Sequence, residues 1–134
     1  MAKLKPTLTL VSTAGSTGVS ENASLALSVT DELTVTDPMT GVSRIACTTT
    51  GSDTEILKSA DVTRYLYIKN TGLNASDTTT TAHIKVETAD GYRIIDLAPD
   101  EFCFLPHHAE AAGIVQLESS SGTVVAEYAY WTKG

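Results

Sequence analysis

The chain has 134 residues, nine Lys or Arg against sixteen Asp or Glu, and a formal charge of −7. That is the size of one domain, and its few dispersed basic residues argue against nucleic-acid binding, which needs a basic patch to neutralise phosphates. A chain this long buries about two-thirds of its unfolded surface, so one core holds it without a disulfide or metal staple.

Thr and Ser number 21 and 12, a quarter of the sequence. Thr is β-branched and fits a pleated surface, so the excess favours strands and polar turns over helices. A mucin-like stalk would set Pro beside the Ser and Thr, and only four Pro are present.

Residues 1–22 are expected to form an N-terminal arm, with a β-sandwich body over 23–134. LTLV (8–11) reads as one strand and STAGSTGVSEN (12–22) as a polar linker. Lys3 and Lys5 are the paired basic residues of this segment, and Leu8 and Leu10 are its apolar ones. The segment is either a frayed terminus or an arm that adds its strand to a neighbour's sheet edge. Pro6 and four Thr or Ser in residues 7–13 interrupt any signal-peptide apolar region, so synthesis in a cytoplasm is expected. No apolar run nears the ~20 residues that span a bilayer.

ASLALSVTDELTVTDP (23–38) alternates, with an irregularity at Asp31-Glu32. Asp37-Pro38-Met39-Thr40-Gly41 has turn chemistry, VSRIACTTT (42–50) reads as a strand, and TEILK (54–58) as a short edge piece. RYLYIKN (64–70) sets Leu66 and Ile68 on one face and Tyr65, Tyr67 and Lys69 on the other. HIKVE (83–87) sets Ile84 and Val86 inward, and the two segments are expected to pair as a hairpin closed by the polar loop 70–80. Ala89-Asp90-Gly91 and Ala98-Pro99-Asp100 mark turns, and a helical turn is possible over HHAEAA (107–112). TVVAEYAYW (123–131) divides into Val124, Ala126, Tyr128 and Tyr130 on one face and Val125, Glu127, Ala129 and Trp131 on the other. Eight to ten short antiparallel strands with regular turns are the signature of an all-β sandwich of jelly-roll type.

No catalytic constellation stands out. His107 and His108 are adjacent on an extended segment and diverge, so they chelate one ion poorly, and His83 would have to come from elsewhere. Cys47 and Cys103 sit in apolar context and read as buried free thiols. For Cys103, between Phe102 and Phe104, an apolar setting raises the thiol pKa and blunts it as a nucleophile. Neither a cofactor nor a metal is expected, and no enzymatic activity. Tyr65, Tyr67 and Trp131 remain candidates for partner contact or sugar stacking, against ordinary packing.

RYLYIKNTG (64–72), LAPDEFCFLP (97–106) and EYAYW (127–131), with ASLALSVTDELTVTDP and VSRIA (42–46), resemble small virion proteins of tailed bacteriophages, those of marine and cyanobacterial hosts in particular. The resemblance runs from about residue 4 to 132. It rests on strand-and-turn phrases and carries no catalytic residues. It implies a β-sandwich structural protein of the virion that decorates and cements the capsid, binds the major capsid protein or another virion protein, and assembles as a homo-oligomer, a trimer foremost. A tail, baseplate or fibre module, a carbohydrate-binding module using Tyr65, Tyr67 or Trp131, and, more remotely, a cupin-type enzyme are the alternative expectations.

Overall fold

The computed structural model describes residues 2–11, 26–38, 41–58, 61–109 and 114–134. Twelve strands are present among them: β1 (Ala2–Leu4), β2 (Thr7–Val11), β3 (Ala26–Thr30), β4 (Leu33–Pro38), β5 (Ser43–Cys47), β6 (Glu55–Leu57), β7 (Val62–Asn70), β8 (Ile84–Thr88), β9 (Arg93–Leu97), β10 (Phe102–Ala109), β11 (Val115–Ser119) and β12 (Val124–Lys133). The only helical element in the described chain is a 3-10 turn at Gly51–Asp53. The protein is all-β, and every strand pairing is antiparallel.

One sheet runs β1-β4-β12-β7-β10, with β5 also on β12; a second runs β6-β11-β8-β9; β2 and β3 form a separate ribbon. The body follows one winding rule. β5 pairs β12, β6 pairs β11, β7 pairs β10 and β8 pairs β9, so the pairings are nested like the two arms of a single long hairpin. Partners in β5–β12 and β7–β10 share one register: Cys47 with Val124 and Lys69 with Phe102 each add up to 171. Successive nested pairs fall alternately in the first and second sheet, which is how a folded-over hairpin makes a jelly-roll sandwich. In β8–β9 the sum is 181, Ile84 against Leu97. The ten additional residues lie in the loop after β7.

The inner faces follow from period-2 alternation. Leu66 and Ile68 of β7 and Val124 and Ala126 of β12 meet Ile84, Val86, Val115 and Leu117 of the second sheet in one buried cluster. Full burial of each Leu or Ile contributes about 2 kcal/mol.

Several sequence expectations change. β7 and β8 do not form a hairpin; they belong to different sheets, and the loop between them is a crossover. That loop is a built structure. Asn74 accepts from the Ser76 and Thr78 amides at 2.9 and 3.0 Å. Thr71 and Leu73 fasten the loop to Val125 of β12 through backbone bonds of 3.1 and 2.8 Å. Asn70, at the end of β7, is fully buried. Its amide donates to the Ala82 and Leu97 carbonyls at 3.0 Å each, and its Oδ1 accepts from the Gly72 amide at 2.9 Å.

The Asp37–Gly41 stretch does not reverse the chain. β4 and β5 lie in line along the same side of β12, both antiparallel to it; Met39 and Thr40 are outside the described residues. His107 and His108 continue β10 as strand, so a helical turn does not begin there, while 110–112 lie outside the described residues. β1 was not anticipated.

Candidate functional site, an apolar arm over a groove

The sequences TLTLV (β2) and ALSVT (β3) alternate apolar and small polar residues and contain no charge. Alternation of this kind makes a ribbon with one apolar face. Pairing sets Leu8 opposite Val29 and Leu10 opposite Leu27, with Thr7–Thr30 and Thr9–Ser28 on the reverse. The Thr7 and Thr30 hydroxyls lie 3.1 Å apart. Register is continuous with the body: Ala2 with Val35 and Val11 with Ala26 both add up to 37. The ladder thins only between the ribbon and β1–β4, where the Asp31 amide donates to the Pro6 carbonyl at 3.3 Å. The expected arm is therefore one strand of a two-stranded arm, its return strand being β3. The linker 12–22 and the expected body boundary at residue 23 lie outside the described residues.

Every residue of β2 and β3 is exposed. Leu8, Leu10, Leu27 and Val29 are 41 to 51% exposed, against the usual fate of such residues. The arm starts beside β4 on one side of the first sheet, yet it lines a groove of about 700 Å³ together with Tyr65, Phe102, Phe104 and Pro106 from β7 and the opposite edge strand, β10.

The far wall of the groove is aromatic. Phe102 and Phe104 point away from the core and are 61% and 39% exposed. Phe104 stacks on Tyr65 with ring centres 6.2 Å apart, and Phe102 tilts against Tyr67 at 6.5 Å. The outer edge of β10 is blunted at one point. The Asn70 backbone N–H donates to the Glu101 carbonyl at 2.9 Å, and from there the ladder alternation turns the nitrogen of Pro106 away from β7. Proline is tolerated there and offers no N–H to an added strand.

The outer face of the second sheet is the opposite in chemistry. Lys85 Nζ meets Glu118 at 2.6 Å, His83 Nδ1 meets Asp96 at 2.8 Å, and Arg93 Nη1 meets Asp96 at 3.1 Å. One exterior is a lattice of ion pairs; the other is aromatic along β7 and β10, with one ion pair, Arg44 to Glu127 at 2.6 Å, between β5 and β12.

The residues singled out from sequence are distributed as follows. Leu8 and Leu10 lie on the apolar face of the arm, Leu8 inside the groove. Tyr65 is buried at 7% exposure on the opposing wall. Tyr67 is half-buried, and burial, followed by the Glu127 charge, raises its phenol above the ordinary value. Trp131 is half-buried on the same side of the sheet, opposite Tyr65 and Pro38. Lys3 and Lys5 are exposed at the arm's base, where Lys3 Nζ lies 3.1 Å from Glu32 and donates to the Thr34 hydroxyl at 3.2 Å. Val29, Leu27, Phe102 and Phe104 were not among the sequence candidates.

The histidines do not converge. His108 Nδ1 lies 3.0 Å from the Thr63 hydroxyl, and His83 sits beside the second sheet. Among the described residues no group of three or more His, Cys, Asp or Glu side chains is placed to hold a metal ion. Cys103 faces the core rather than its sequence neighbours, and burial pushes its thiol up to about 11; burial pushes Cys47 up to about 12. A thiol probe at pH 8 is expected to label neither cysteine in the folded protein and both in denaturant, measured by mass spectrometry. The unfolded thiols ionise near 9, so the stability they confer is complete below that pH and is lost as pH rises toward 11–12. Rapid labelling of native Cys103 at pH 8 would contradict this burial.

The chain matches no family model, no curated protein and no solved structure.

Proposed function

We propose that this chain is a structural protein of a bacteriophage particle, a cement protein that binds the outside of the icosahedral shell. The observation that carries the reading is the β2–β3 ribbon, whose strands carry no charge and whose apolar face stands in solvent at 41 to 51% exposure above a two-sheet body. Exposed apolar surface of this kind marks association sites. The resemblance of the strand and turn segments to small virion proteins supports the particle as the setting. A protein that binds the assembled shell better than its free subunits stabilises the shell by mass action, and many copies add their contributions.

A tail or baseplate position would use the same surfaces, and immunogold labelling of particles distinguishes the two. A sugar-stacking platform has less support, because Tyr65 is 7% exposed and Phe104 stacks against its ring.

The test is co-sedimentation with shells of the encoding phage that lack this protein. A second variant replaces residues 7–30 with Asn-Gly, which joins β1 to β4 by a two-residue turn. The full chain is expected to saturate the shells and raise their melting temperature, and the armless variant to fold but bind at least tenfold more weakly. Equal binding by both would overturn the arm's role; no binding by the full chain would overturn the shell reading.

A further inference from the structure

We infer that the arm and groove form a self-association site, in which Leu10 and Leu27 of the β2–β3 ribbon of one copy pack against Phe102 and Phe104 of a second copy, and reciprocally.

The first argument is area. Leu8, Leu10, Leu27, Val29, Phe102 and Phe104 are 39 to 61% exposed. With large apolar and aromatic side chains carrying about 150–250 Å² each, they leave on the order of 500 Å² of apolar surface in water per copy. One arm against one groove would bury less than a stable contact needs. A reciprocal pair uses both patches of both copies and covers on the order of 1,000 Å², about where specific interfaces begin. Area therefore favours a two-fold pair over the trimer expected from resemblance, which has one arm-groove contact per interface.

Charge is the second argument. Each copy carries −7, so copies repel unless they meet on neutral ground. β2 and β3 contain no charged residue, and Asp31 is the one Asp, Glu, Lys or Arg among the groove-lining residues. A basic partner would be better served by an acidic face. A second copy of this same neutral face is complementary to it.

Geometry is the third. Leu8 and Val29 line the groove of their own chain. Leu10 and Leu27 belong to the same ribbon face one step further out and are absent from that lining. They are the part of the arm free to reach a neighbour. A two-fold pairing brings residue and partner together in both directions at once.

This inference rests on the arm reading above but not on the shell. The experiment is the absolute mass of the full chain by light scattering across concentrations. The variants are Leu10→Asp and Phe102→Asp, both at exposed positions, with folding checked by thermal melting. The wild type is expected to be a dimer at tens of micromolar, and each variant a monomer with a melt close to that of the dissociated wild type. Because a mixed pair of the two variants keeps only one of its two arm-groove contacts, an equimolar mixture is expected to stay monomeric at the concentrations where the wild type is a dimer. A monomeric or trimeric wild type, dimeric variants, or a mixture that dimerises as tightly as the wild type would each overturn the proposal. A monomer that still binds shells would sink this inference alone; a dimer that ignores shells would sink the shell reading alone.

Discussion

Replacing Asn70 with leucine is expected to destabilise the protein by about 4 kcal/mol, because three buried polar groups each lose their partner at about 1–3 kcal/mol. Asn70 has no exposed surface. Its side chain bonds the Ala82 carbonyl before β8, the Leu97 carbonyl at the end of β9, and the Gly72 amide in the crossover loop. One residue of the first sheet thus holds two separate points of the second sheet's strands. Leucine has as many side-chain heavy atoms as Asn and is bulkier, so the loss would arise from unmet hydrogen bonding and some overpacking rather than an empty volume. Equilibrium denaturation in urea gives the number, and a thermal melt should fall by about 10 °C or more. A loss under 1 kcal/mol would mean that water reaches these groups and that the tie is not what closes the sandwich.

Leu117→Ala is expected to cost about 3 kcal/mol, the usual sum of lost transfer energy and a residual cavity. Leu117 lies at 0% exposure on β11, opposite Val86, with its amide bonded to the Thr54 carbonyl at 3.0 Å. Backbone on both sides is fixed by the ladder, so the site has little freedom to collapse. Leu117→Met, which keeps the volume, should cost less than about 1.5 kcal/mol. Equal losses for the two substitutions would show that shape rather than volume dominates here.

The two faces of β7 and β12 were legible in the sequence. Alternation alone separates Leu66 and Ile68 from Tyr65 and Tyr67, and Val124 and Ala126 from Glu127 and Ala129: the first of each set join the core cluster and the second do not, although Tyr65 and Ala129 are themselves buried on the other face. Alternation reports which way a side chain points, not which strand lies alongside. For that reason β7 and β8 read as a hairpin although the intervening loop carries the chain between sheets. The Asp-Pro…Gly turn chemistry at 37–41 misled in the same way, since β12 supports both flanking segments in line.

Asn70 read as the start of a polar loop because its type is common in loops. Only tertiary structure shows three backbone groups converging on it. At the candidate site, Leu8 and Leu10 were legible as arm residues, while their partners on β3 were assigned to the body. Phe102 and Phe104 were taken as the surroundings of Cys103. Strand periodicity carried the contrary signal, since neighbours of an inward residue point outward.

The nested winding of the body has a consequence for how the chain acquires its shape. β12, residues 124–133, lies in the interior of the first sheet, with β4 and β5 on one side and β7 on the other. Its partners are made from 56 residues earlier, Asn70 opposite Ala126, to 98 residues earlier, Val35 opposite Lys133. A ribosome that has not yet released this strand holds a nascent chain whose first sheet has no middle. Such distant pairings make folding slow and leave strand edges uncovered while they wait. The first sheet is thereby completed only once β12, through Lys133, has been made and has left the ribosome.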